Sequence, residues 1–211
     1  MNRVSVGFRV HSGWAAMVAL AIEKKEPIVV RRERVQLVET FTYQFRQPYH
    51  TAEKLSFAKA REFVSKADEE AFRLGRSALR KLQDELKKQG NDLGDCGLLM
   101  ASGRELPELE KILASHALIH AADGELFREA LSRASQECGL NVLRVREKEL
   151  LAEAEGTLRM EGQSALRKVT LIGKPLGAPW SQDEKYAALV AWIALCFDAK
   201  KPRLTGRGAL A

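Results

Sequence analysis

The sequence predicts an α/β domain in which a mixed sheet is covered by helices on both faces. Three observations lead there. Three extended apolar runs, at 3–10, 14–22 and 27–38, follow one another across short polar links. A long stretch of helical periodicity comes next. The remainder then alternates short strands with helices, the order that builds strand–helix–strand crossovers.

Each element has its own signal. Val4, Val6, Phe8 and Val10 alternate with other residues, as a strand with two unlike faces requires. "HSG" and "EKKEP" are links of hairpin length, so the first three runs read as an antiparallel meander. The third run places Arg31, Arg32 and Arg34 among valines, which suits an edge strand with one wet face. "ETFTYQFRQPYH" reads as an aromatic connector or a short strand. Residues 52–89 read as one helix. Ala60, Val64, Ala67, Ala71, Gly75, Ala78, Leu82 and Leu86 recur on one face, and Glu62–Lys66, Glu69–Arg73 and Asp84–Lys88 are spaced for i,i+4 pairs. "DCGLLMAS" at 95–102 reads as a buried strand. Helical pattern resumes at 106–115 and 117–138, "NVLRVRE" at 141–147 is a further strand, and a helix broken at Gly156 and Gly162 follows. The last helix opens on Ser181 as N-cap, with Asp183 and Glu184 in its first turn.

At 211 residues the chain suits one domain, predicted over 1–198, with a basic tail at 199–211. The net charge is +6, and Lys200, Lys201, Arg203 and Arg207 carry four of those charges, so +2 remains for the body. That distribution argues against a surface coated with cations for DNA, and points to a basic appendix with salt-sensitive attraction to polyanions. Cys96, Cys138 and Cys196 are far apart and form no CxxC pair, which argues against a cysteine zinc site. No run is long enough for a membrane span, and the alternation over 4–10 reads as strand where a secretory leader needs a charged region. A cytoplasmic location without membrane partners is the expectation.

"GFRVHSGWAAMVAL" carries Gly7-x-Arg9-x-x-x-Gly13-Trp14 ahead of an apolar strand. This opening resembles an uncharacterised family of predicted ribonuclease H-like nucleases that begins G-x-D-x-x-x-G-W. "WSQDEKYAALVAWIAL" resembles the acidic, alanine-rich closing helix of that family and, more distantly, of the RuvC-type resolvases. The resemblance implies the ribonuclease H-like fold. It also implies nuclease chemistry in which carboxylates converge on one or two magnesium or manganese ions, the first of them supplied from the first strand.

This chain departs from the pattern at that place. Arg9 stands where the first carboxylate belongs, and a guanidinium stays protonated and repels a cation. Glu105 after the fourth strand, with Asp183 and Glu184 on the final helix, are the acids left for catalysis. They also suit ordinary first-turn helix positions. Arg9 has two uses here: an internal ion pair with Asp183 or Glu184, or a bidentate partner for a bound phosphate or carboxylate.

Other constellations carry less. His116 and His120 stand four apart on one helix face, with Asp123 and Glu125 close behind, a spacing that can hold a transition metal. His11 and His50 read as turn residues. His11 belongs with Arg9 as a binding candidate, and Lys200, Lys201 and Arg203 of the tail join them. Trp14 and Trp192 read as core, and Trp180 as an exposed anchor or a hydrophobic staple. No nucleophile elbow, Walker loop or dinucleotide fingerprint is present.

The leading expectation is therefore a non-catalytic ribonuclease H-like protein that binds a protein partner or a nucleic acid, with no cofactor. The alternatives are a magnesium- or manganese-dependent nuclease or other phosphoester hydrolase, and a structural protein that self-associates through its long helix as a homodimer.

Overall fold

The computed structural model describes residues 2–101 and 105–197. Five strands form one sheet in the order β3-β2-β1-β4-β5. They are β1 (Asn2–His11), β2 (Trp14–Glu23), β3 (Glu26–Gln36), β4 (Asn91–Met100) and β5 (Asn141–Arg146). The first three make the antiparallel meander, and β4 and β5 run parallel to β1. As the arginine pattern predicts, β3 is an edge strand.

Helices cover both faces. On one lie α3 (Phe57–Lys88) and α5 (His116–Glu137), packed on Val4, Val6, Phe8 and Val10 of β1. On the other lie α6 (Leu150–Leu158), α7 (Gly162–Ile172) and α8 (Gln182–Cys196). The alternation of β1 thus divides its side chains between two cores, with Ser5, Gly7, Arg9 and His11 on the α8 side. Burying leucines such as Leu79, Leu82 and Leu86 of α3 contributes about 1.5–3 kcal/mol each.

Several boundaries differ from the sequence expectation. The aromatic connector is not a strand. It forms α1 (Tyr43–Arg46) and α2 (Pro48–Ala52), with Pro48 opening the second, where a missing N–H costs nothing. The long helix consequently starts at Phe57, and Leu79 joins its buried face. β4 begins at Asn91, directly after Gly90 in the left-handed region turns the chain. The helix after β5 breaks at Arg159, which ends α6 in the left-handed conformation, while Gly156 stays within α6. Residues 106–115 contain only the short α4 (Leu109–Leu113).

The decisive packing feature is how closely α8 lies on the sheet. A Cβ on Gly7 would stand 1.9 Å from the Ala187 carbonyl oxygen, and one on Gly97 would stand 2.3 Å from that of Val190. Helix backbone therefore rests on strand backbone, and the Ser5 hydroxyl donates to the Ala191 carbonyl at 2.5 Å. Ahead of α8, Arg32 of β3 donates to the carbonyls of Leu176, Gly177, Ala178 and Pro179, tying down the loop that leads into the helix. Ser181 accepts from the Asp183 amide and Glu184 reaches back to the Ser181 amide, completing a capping box. The start of α8 is thereby set over the carboxyl end of β1.

Candidate functional site

β1 and β4 lie side by side, and the sheet extends from them in opposite directions, to β2 and β3 on one side and β5 on the other. Ligands of open α/β sheets bind outside the carboxyl ends of strands at such a switch point. Arg9, near the end of β1, occupies it. Its Nε and Nη2 donate to the two carboxylate oxygens of Glu147 at 3.0 and 2.8 Å, and its Nη1 donates to Asp183. The Tyr186 ring lies 5.4 Å beneath the guanidinium. His11 Nε2 is 2.9 Å from the same Asp183 oxygen. Glu147, then Asp183, hold Arg9 protonated above the usual arginine range against the opposing effect of burial.

The ion pair between Arg9 and Asp183 is the internal pair the sequence suggests. Glu147 is the residue the sequence reading missed. It follows β5 directly, and the only signal for it was an acid closing a strand whose neighbour could not be known. Glu184 is not part of the cluster, because its carboxylate is engaged in the capping box. Glu105 is exposed and, among the described residues, bonds to none of these groups. Two of the three candidate catalytic acids therefore stay outside the cluster.

His11 connects this cluster to a run of stacked planes at the β1–β2 turn. Its ring lies 4.4 Å from Trp14, and the Arg34 guanidinium covers Trp14 at 4.0 Å. Phe41 lies 5.2 Å from Arg34 and 4.5 Å from Arg46. Trp14 is thus half-buried under a cation, a correction to its reading as core. His11 is likewise more than a turn residue. Gly13 turns the chain with φ of 83°, and a side chain there would meet Arg46. Trp180 is also corrected. Its ring lies over Gly173, its Nε1 donates to the Val169 carbonyl at 3.2 Å, and it packs with the α8 core, so it is not an exposed anchor. Trp192 is core, as expected.

A second cluster lies beyond the opposite face of the sheet. His116 and His120 of α5 bring their Nε2 atoms to 3.0 Å. His50 of α2 stacks edge-on against both, at 5.5 and 4.4 Å between ring centres. Its Nδ1 bonds to the carboxylate of Asp123, which also accepts the Tyr49 amide at 2.7 Å. His50 is buried, where the sequence suggested a turn. Lys200, Lys201 and Arg203 lie outside the described residues.

The sheet order, the mixed pairing and the helices on both faces are those of the ribonuclease H-like α/β fold. Among solved structures the chain is similar to Thermus thermophilus RuvC in complex with a Holliday junction substrate, with TM-score 0.51 and 13% identity over 90% of this chain and 91% of that one. It is also similar to the structure of T. thermophilus RuvC alone (TM-score 0.48, 13% identity, 90% and 92% covered). A third similar structure is the Aquifex aeolicus member of the Ppx/GppA family (TM-score 0.35, 12% identity, 74% and 40% covered). At 13% identity the likeness to the junction-bound RuvC is one of fold. No protein-family model and no curated protein matches the chain. Among the described residues, no helix is long and apolar enough to cross a membrane.

Proposed function

We propose that this is a ribonuclease H-like protein that binds nucleic acid without cutting it. The observation that carries the reading is the Arg9 guanidinium held between Glu147 and Asp183 at the switch point. Magnesium needs several carboxylate oxygens and tolerates little misplacement. Both carboxylates that could offer oxygens here already neutralise a permanent cation, so these residues do not fit a divalent ion. Removing Arg9 from the pair would strand two partly buried negative charges, which is the costly direction.

The stacked run from His11 to Arg46 supports binding. Arg34 and Arg46 have no carboxylate partner among the described residues, and Phe41 is 41% exposed. Guanidinium and aromatic planes alternate there, presenting cations for phosphates and faces for bases without a pattern that reads sequence. The RuvC of similar fold is seen with a Holliday junction, which fits the same reading. Self-association through the long helix has weaker support, because the buried residues of α3 pack inside the chain on α5 and the sheet.

The test is binding of labelled single- and double-stranded oligonucleotides, with cleavage followed in magnesium and in manganese. Binding should weaken as salt rises and fall about tenfold in Arg34→Ala/Arg46→Ala, while alanine at Lys200, Lys201 and Arg203 removes only the tail's share. The wild-type protein should cut nothing. Metal-dependent cleavage that disappears in Asp183→Ala or Glu105→Ala would replace this reading with the nuclease. Binding unchanged in the Arg34/Arg46 variant would reject the stacked rim.

A further inference from the structure

We infer that His50, His116 and His120 form a binding site for a zinc-class transition metal ion, a site separate from the Arg9 cluster and independent of the nucleic-acid reading. One ring nitrogen from each lies within 4.8 Å of the others, the only such group of three metal-ligating residues among the described residues. His116, His120 and Asp123 follow at steps of four and three, so all three share one face of α5. α2 lays His50 across that face.

The arrangement has the features of a built site. Two nitrogens bound at about 2.05 Å to a tetrahedral zinc stand about 3.3 Å apart. The 3.0 Å between the Nε2 atoms of His116 and His120 is close to that separation. Asp123 supplies the independent observation. It is 3% exposed, and its carboxylate engages His50 Nδ1. A carboxylate at that nitrogen keeps the proton there and leaves the Nε2 lone pair free to ligate, the usual outer partner of a metal-bound histidine. The Tyr49 amide, donating at 2.7 Å, holds the second oxygen of Asp123 in place. A carboxylate this deeply buried needs such partners.

The ligand set selects the metal. Three neutral imidazoles suit zinc, cobalt, nickel or copper and are poor ligands for magnesium or calcium, which want oxygen. His50 is buried whereas His116 and His120 are exposed, so the site opens to solvent on one side. Three protein ligands leave a fourth position for water or an anionic oxygen.

The experiment uses the full chain, stripped with chelator under reducing conditions, then dialysed against zinc and assayed for bound metal. About one zinc per chain should remain, a large excess of magnesium should not displace it, and cobalt in its place should give the strong visible absorption of a four-coordinate ion. His116→Ala/His120→Ala changes only exposed ligands and should abolish retention while the fold, followed by circular dichroism, persists. Asp123→Asn should weaken zinc about 10–100-fold. Cys96, Cys138 and Cys196 remain in every variant, so thiol-bound zinc would survive the double substitution. No zinc retained by the wild type, zinc retained equally by the double variant, or a weak six-coordinate cobalt spectrum would each overturn the inference.

Discussion

Arg9 touches Glu147, just after β5, and Asp183 and Tyr186, both on α8. Its side chain is 19% exposed, so the pair is screened less than a surface salt bridge and more than a fully buried one. Arg9→Gln should therefore cost about 2 kcal/mol in urea unfolding. Added manganese should then stabilise that variant and leave the wild type unchanged, because the substitution frees two carboxylates. Asp183 was legible as a partner because the opening motif and the closing helix both point to the same place. Glu147 was not, because nothing local says that β5 ends within reach of β1. The same holds for His50, separated from His116 by a long helix and a strand.

α8 is the element on which the site depends. Its first turn carries Asp183, its capping box engages Glu184, and its close seat on the sheet requires Gly7 and Gly97. Ser181→Ala should lower stability by about 1 kcal/mol, measured by urea denaturation, because one N-terminal amide loses its acceptor. Gly7→Ala should be worse, about 3 kcal/mol, since the added carbon meets backbone that cannot turn aside. If the two substitutions cost the same, α8 does not rest on the strand backbone at Gly7. The cap, the first-turn acids and the alanine content of this helix were all readable in order. What α8 rests upon was not, because glycines in a strand do not announce which helix will use the space.

At the scale of the molecule, two cores sit on opposite faces of one sheet, and a third, smaller apolar group of Ile112, Ile119 and Ala122 joins α4 to α5. The link between α2 and α5 is where alkaline pH should act. Burial, with help from nearby Asp68 and Asp123, pushes the Tyr49 phenol up to about 12. An unfolded phenol titrates near about 10. Between those values the unfolded chain loses this proton first, so the Tyr49 contribution to stability falls as pH rises from about 10 to about 12 and is fully present below that window. The fall amounts to at most about 2.7 kcal/mol. Urea midpoints measured through that range should fall less steeply in Tyr49→Phe than in the wild type, the remaining fall coming from buried Cys96, whose thiol is also pushed up to about 12 by burial.

Sequence alone determined the succession of strands and helices, the antiparallel opening, the edge position of β3, and the guanidinium where a carboxylate was expected. These follow from short-range rules, namely side-chain periodicity, turn chemistry and capping, which act over a few residues. Only the tertiary structure decided which acids meet Arg9, that Trp14 lies under Arg34, and that three histidines from two helices converge, with His50 held by a buried carboxylate. Those outcomes depend on how far α8 sinks onto the sheet and how α2 crosses α5. Packing sets such distances between residues far apart in the chain, and no local pattern encodes them.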